Sequence, residues 1–130
     1  MRKKLNLLGL IAVSAFIAYK SLAPVPAGKP ATGFVPLHFL AYAVLGGAFL
    51  INLHDRDRMY LEAFAAAFFF GFGIELIQGT LSYRFFGWND VLMNFLGASV
   101  VLLDRPVNLI DHVVSFQDFV VDTAAEKTGL

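Results

Sequence analysis

The sequence predicts an all-α membrane protein: a bundle of four transmembrane helices followed by a C-terminal amphipathic helix. Three observations carry this. The 130 residues are 58% hydrophobic and only 15% charged, with mean hydropathy +0.67, whereas soluble domains lie near half apolar and a quarter charged. Apolar residues gather into four runs, 5–22, 37–53, 59–78 and 88–103, close to the roughly 20 residues a helix needs to cross the hydrocarbon core. Ionisable and amide side chains recur at helical spacing inside three of those runs. Polar groups at such positions are costly unless they face a protein interior and find partners there. One membrane domain over residues 1–130 follows, set in the cell membrane as a multi-pass protein.

The first run follows Arg2-Lys3-Lys4, a basic flank suited to the cytoplasmic side of a span. The same features resemble a secretory signal, with Ser21-Leu22-Ala23 as a cleavage site. Pro24 directly after it disfavours cleavage. The linker over 23–36 holds four of the chain's five prolines. Proline lacks an amide hydrogen and cannot continue a helix, so this segment is expected to be an extended loop. The second run is short for a span and calls for local adjustment or bilayer thinning. His54-Asp55-Arg56-Asp57-Arg58 reads as a tight, solvated charged turn.

The third run is long enough to span. The loop 79–87 carries Tyr83, Arg84, Phe85 and Phe86 before the short fourth run. With the N-terminus inside, Arg2, Lys3, Lys4, Arg56, Arg58 and Arg105 are cytoplasmic and Lys20, Lys29 and Arg84 are outside. Six against three favours both termini in the cytoplasm. Tyr83, Phe85, Phe86 and Trp88 then form an outer aromatic belt and Tyr60 an inner one. Ala43-x-x-x-Gly47 and Ala67-x-x-x-Gly71 are small-residue pairs of the kind that let helices approach closely.

Beyond Asp104 the pattern changes. Leu109, Ile110, Val113, Val114, Phe116, Val120 and Val121 recur near helical spacing, punctuated by Asp111, Gln117, Asp118 and Asp122. This is an amphipathic helix. Its acidic face matches anionic headgroups poorly, which makes docking on protein at least as good a reading as lying on lipid. A protein partner could bind there. Formal net charge is zero, so nothing points to nucleic acid. The absence of cysteine excludes disulfides, thiol catalysis and cysteine-ligated metals.

The polar residues converge. His38 and Tyr42 are four apart, Glu75 and Gln78 three apart, Asp90 and Asn94 four apart, so each pair shares a helix face. Under the inferred orientation all three faces lie in the outer half of the membrane, with Arg84 in the loop between two of them. A single cluster of His38, Glu75, Gln78, Arg84, Asp90 and Asn94 satisfies these groups together, whereas scattering them into lipid costs several kcal/mol each.

These residues, in this order, resemble the VanZ-like family of small membrane proteins associated with teicoplanin-type glycopeptide resistance. The family's elements match His38-Phe39-Leu40-Ala41-Tyr42, then Gly71, Glu75 and Gln78, then Arg84, then Asp90, Asn94 and Gly97. The resemblance covers a core of about 36–103 and says nothing of the tail over 104–130. Members often carry Asp-Lys before the histidine element, where this chain has Phe34-Val35, so an acid and a base are missing from the outer rim. The resemblance implies a cell-envelope protein related to glycopeptide susceptibility.

Each polar residue has a structural reading beside the functional one. Glu75 can pair with Arg84 or His38 simply to hold the bundle. Asp90 can cap a helix, Asn94 can bridge helices, and Arg84 can be solvated. His38 can be a general base, a pH-sensitive donor or a satisfied hydrogen-bonding group. A metal site needs more ligands at better spacing than His38, Glu75 and Asp90 guarantee, so no metal or other cofactor is expected. The leading expectation is a non-enzymatic protein that binds a membrane lipid or a lipid-linked ligand through His38, Tyr42, Glu75, Gln78, Arg84, Asp90 and Asn94. The rival is an enzyme acting on a lipid headgroup, with Glu75, His38 or Asp90 as general base and Arg84 holding an anionic group. A third class is a structural or partner-binding membrane protein.

Overall fold

The computed structural model describes residues 1–24 and 35–129, and these are almost wholly helical. The helices are α1 (Arg2–Leu22), α2 (Val35–Asn52), α3 (Met59–Gln78), α4 (Trp88–Ser99), α5 (Asp104–Val107) and α6 (Leu109–Thr128), with a 3₁₀ turn over Val100–Leu103 between α4 and α5. Most of the loop expected over 23–36 lies outside the described residues. By length and apolar composition α1 and α3 can each cross a membrane, while Pro36–Asn52 is a shorter apolar helix. The fourth apolar run does not continue as one α-helix. It tightens into the 3₁₀ turn at Val100–Leu103, which carries the chain round into α5.

Helices α1 to α4 pack together, and the most extensive contact is between α2 and α4. Glycine explains that closeness. A Cβ added at Gly97 would stand 2.4 Å from the Phe39 carbonyl oxygen, and one at Gly46 would stand 2.9 Å from Val101 Cγ1. Neither position tolerates a side chain without moving a backbone or a buried neighbour, so the two helices meet main chain to main chain. Gly71 plays the same part between α3 and α2, with Ala67 fully buried one turn away. The pair Ala43 and Gly47 behaves differently: nothing lies within 4 Å of a Gly47 Cβ, and the close approach falls to Gly46 one residue earlier.

The apolar core falls into two clusters. Ile17, Tyr42, Leu45, Ala67 and Ala98 form one. Leu50, Ala63, Val101, Ile110 and Val114 form the other, and the last two place α6 against the bundle. Among the described residues of the tail, only two apolar side chains, Ile110 and Val114, are buried, while Leu109, Phe116, Phe119 and Val120 point outward. The tail is therefore apolar on two faces, one docked and one open.

Its docking is polar as well as apolar. Asp104 accepts a hydrogen bond from the Tyr60 hydroxyl at 3.1 Å and from the Ile110 amide at 3.2 Å, so it caps the first turn of α6. Asn108 between α5 and α6 adopts the left-handed conformation, φ 57°, which asparagine tolerates better than most residues. Asn6 and Gln117 exchange amide hydrogen bonds at 3.2 and 2.8 Å, and Arg2 Nε pairs with Asp118 at 2.7 Å. His54 Nε2 lies 2.7 Å from Asp111 Oδ1. The turn at 54–58 is thus more than a solvated connection, since its histidine holds the tail.

Candidate functional site

The polar residues of α2, α3 and α4 lie at one end of the bundle, away from the tail. Four of them are buried: Glu75, Gln78, Asp90 and Asn94, with Glu75 and Asn94 each only 1% exposed. Tyr42 joins them at 2%. Helical geometry sets the arrangement. Gly71 and Glu75 are one turn apart on α3, as are Asp90 and Asn94 on α4 and His38 and Tyr42 on α2.

The bare face of Gly71 is where α2 and α4 meet α3. A Cβ there would stand 2.5 Å from Tyr42 Cε1 and 3.0 Å from Asn94 Nδ2. The Tyr42 ring and the Asn94 carboxamide are therefore both pressed against the same backbone atoms. One turn along, Glu75 Oε2 accepts a hydrogen bond from the Gly87 amide at 3.3 Å, which ties α3 to the start of α4. On the facing helix His38 Nε2 lies 3.9 Å from Asp90 Oδ1. That is an ion-pair distance when the ring is protonated, and too long for a direct hydrogen bond.

Asn94 stands apart. Neither its Nδ2 nor its Oδ1 has a hydrogen-bond partner among the described residues. A buried carboxamide left unpaired costs about 1–3 kcal/mol per group, so native proteins rarely keep one without a reason.

Gln78 and Arg84 turn the other way, toward the last turn of α1. Gln78 Nε2 donates to the Ser21 carbonyl at 2.7 Å, and the Tyr83 hydroxyl donates to the Leu22 carbonyl at 2.7 Å. Arg84 Nη2 donates to the carbonyls of Lys20 and Ala23 at 3.0 and 2.9 Å. The last carbonyls of a helix have no partners within it and carry the negative end of its dipole. A guanidinium fork suits them, since it supplies several donors in fixed geometry together with a positive charge. The α1 end is thus stitched to the last residue of α3 by Gln78 and to the 79–87 loop by Tyr83 and Arg84. No side-chain pattern in the sequence could reveal this, because every acceptor is main chain.

What remains around Asn94 is rich in acceptors. Glu75 and Asp90 supply carboxylate oxygens, Asn94 both a donor and an acceptor, Tyr42 a hydroxyl and His38 a ring nitrogen. Such a set recognises hydroxyl or ammonium groups more readily than phosphate. Among the described residues, no three histidine, aspartate or glutamate side chains gather closely enough to hold a metal ion.

Comparison with known proteins agrees with the family resemblance. Residues 5–103 match the model of the VanZ/LLP1 family, a span that takes in α1 as well as the polar helices. An uncharacterized protein of Schizosaccharomyces pombe is 30% identical over 105 residues, covering 79% of this chain and 60% of that protein. The chain thus spans less than two thirds of that relative's length. No solved structure matches the chain. The extent of the family match, which includes every helix of the polar cluster, is decisive: the chain belongs to the VanZ/LLP1 family.

Proposed function

We propose that this chain is a four-span protein of the cell membrane, with both termini cytoplasmic, that binds a lipid-linked or amphiphilic ligand in the outer half of the bilayer. The membrane reading is supported by an inside-out distribution of polarity. Leu8, Phe16, Phe69, Phe85, Trp88 and Leu103 are all more than three-fifths exposed while Glu75 and Asn94 are enclosed. A soluble monomer rarely exposes so many large apolar side chains while enclosing a carboxylate and a carboxamide. Basic residues at the ends of the helices support the orientation.

The observation that carries ligand binding is Asn94. Its carboxamide is enclosed and unpaired beside Tyr42 and Gly71, and a ligand bearing hydroxyl or amine groups would satisfy it. His38, Tyr42, Glu75 and Asp90 complete the contact set. Gln78 and Arg84 support the site from behind by fixing α1. A relation to glycopeptide susceptibility rests on the family and fits a ligand drawn from envelope lipid chemistry. In a second reading His38 and Asp90, 3.9 Å apart, act as a base and its orienting carboxylate on a lipid headgroup.

The test is mass spectrometry of lipids retained by the purified protein and by the Glu75→Gln and Asn94→Leu variants. Selective loss of one lipid species from both variants is expected. Identical retained lipids in all three proteins would overturn ligand binding at this cluster and leave it a structural network.

A further inference from the structure

A second polar recess lies at the opposite end of the bundle, between the first turns of α1 and the last turn of α2. Its volume is about 220 Å³, and Arg2, Lys3, Asn6, Asn52, Asp55 and Arg56 line it. A recess of that size has room for a tetrahedral oxyanion and water beside it. Three of the lining side chains are cations and one is an anion.

The recess is built rather than incidental. Asn52 Nδ2 donates to the Asn6 carbonyl at 3.0 Å and to the Ala48 carbonyl at 2.8 Å, so one amide fastens the two helix ends that form its walls. Asn6 is held in turn by Gln117 of the tail. The Arg2 side chain is 18% exposed and pairs with Asp118 through Nε. Arg56 pairs with Glu62 across the turn. Lys3 lies 3.6 Å from Asp55 and its side chain is 80% exposed. Asp118 and Glu62 pair with arginines of the recess without lining it, so Asp55 is the acid within it.

We propose that this recess binds a phosphate group, and that its source is the headgroup of an anionic phospholipid in the inner leaflet. Guanidinium groups and an ammonium around a small polar cavity suit phosphate chemistry. Under the orientation proposed above, the recess opens where anionic lipids hold a negative surface potential that draws basic side chains. The cluster around Asn94 takes no part, so the two sites stand or fall separately. The lining acid and the acid paired to Arg2 both compete with an incoming anion. Removing either one therefore strengthens binding, whereas removing a lining cation weakens it.

The experiment follows from these opposite signs. The full-length protein is reconstituted in phosphatidylcholine bilayers containing graded phosphatidylglycerol, and the anionic lipid retained on release is counted by native mass spectrometry. Arg2→Gln should weaken retention roughly fivefold, the effect of one basic charge at a membrane surface. Asp118→Asn and Asp55→Asn should strengthen it. In a second arm inorganic phosphate is titrated into detergent-solubilised protein. Saturable binding with the same order of variants but no lipid preference assigns the phosphate to a free anion, and the lipid source is overturned. If Arg2→Gln and Asp118→Asn reduce retention equally, the Arg2–Asp118 pair serves only to dock the tail and the site is refuted. Retention that ignores all three substitutions refutes it as well.

Discussion

Gly97 offers the sharpest test of how α2 and α4 meet. In Gly97→Ala the new methyl would lie 2.4 Å from the Phe39 carbonyl oxygen, 3.0 Å from Tyr42 Cβ and 3.2 Å from the Ala43 amide nitrogen. Two of those atoms are backbone, so the helices must part by about 1 Å to restore ordinary contact; such overpacking costs about 1–3 kcal/mol. Alanine also gains about 1 kcal/mol over glycine in helix propensity, which complicates any comparison with the parent protein. Gly47→Ala removes the complication. It gains the same propensity on the same pair of helices, and its methyl meets nothing within 4 Å. The difference between the two variants isolates the clash and should be about 1–3 kcal/mol. Unfolding is followed in detergent by circular dichroism, with Gly97→Ala expected to have the lower midpoint. Equal midpoints would refute the main-chain contact between α2 and α4 and, with it, the placement of Tyr42.

Three further outcomes follow from particular contacts. Arg84→Gln should destabilise the protein by about 1–2 kcal/mol, a charged hydrogen bond discounted for partial exposure, and should speed tryptic cleavage after Lys20 as the end of α1 frays. Ile110→Ala should cost about 2–5 kcal/mol and release α6 to limited proteolysis, whereas Phe116→Ser, on the outward face of the same helix, should leave stability unchanged. The Asp55 carboxyl is held below its ordinary value of 3.8, first by the hydrogen bond from His54 and then by Lys3. A lowered value in the folded state means that this contact helps at neutral pH and is lost as pH falls through that lowered value, below the ordinary carboxylate range. In an NMR titration His54→Asn should raise the Asp55 midpoint toward its ordinary value.

Much of the helical layout was legible because hydrophobic length is a strong signal. The run 59–78 coincides with α3, bounded by a charged turn on one side and Gly79 on the other. Spacing put buried Asp90 and Asn94 on one face of α4, but Gln78, three residues from Glu75, turns instead to the Ser21 carbonyl. The 3₁₀ turn at Val100–Leu103 was hidden, because its four apolar residues look the same in a tight turn as in a continuing helix. The small-residue pattern pointed to Gly47, but contact falls on Gly46; a one-residue shift rotates the face by about 100°, which composition cannot resolve.

Longer-range pairings left even less trace. Arg84 read as an outer anion contact because a guanidinium in an outer loop suits a phosphate or carboxylate, yet it donates to the carbonyls of Lys20 and Ala23. His54 and Asp111 are separated by 57 positions, and their meeting depends on the direction in which α5 and Asn108 turn the tail. The two-faced character of α6 was likewise blurred, since Ile110 and Phe116 count equally as apolar until the bundle covers one of them.

The most direct measurement is the side-chain amide resonance of Asn94 in protein labelled with ¹⁵N-asparagine, recorded before and after retained lipid is stripped. Ligand binding at the cluster predicts that the Asn94 signal shifts on stripping and returns when the extract is added back, while exposed Asn89 stays still and Glu75→Gln abolishes the response. An Asn94 signal indifferent to stripping and to add-back would contradict the account.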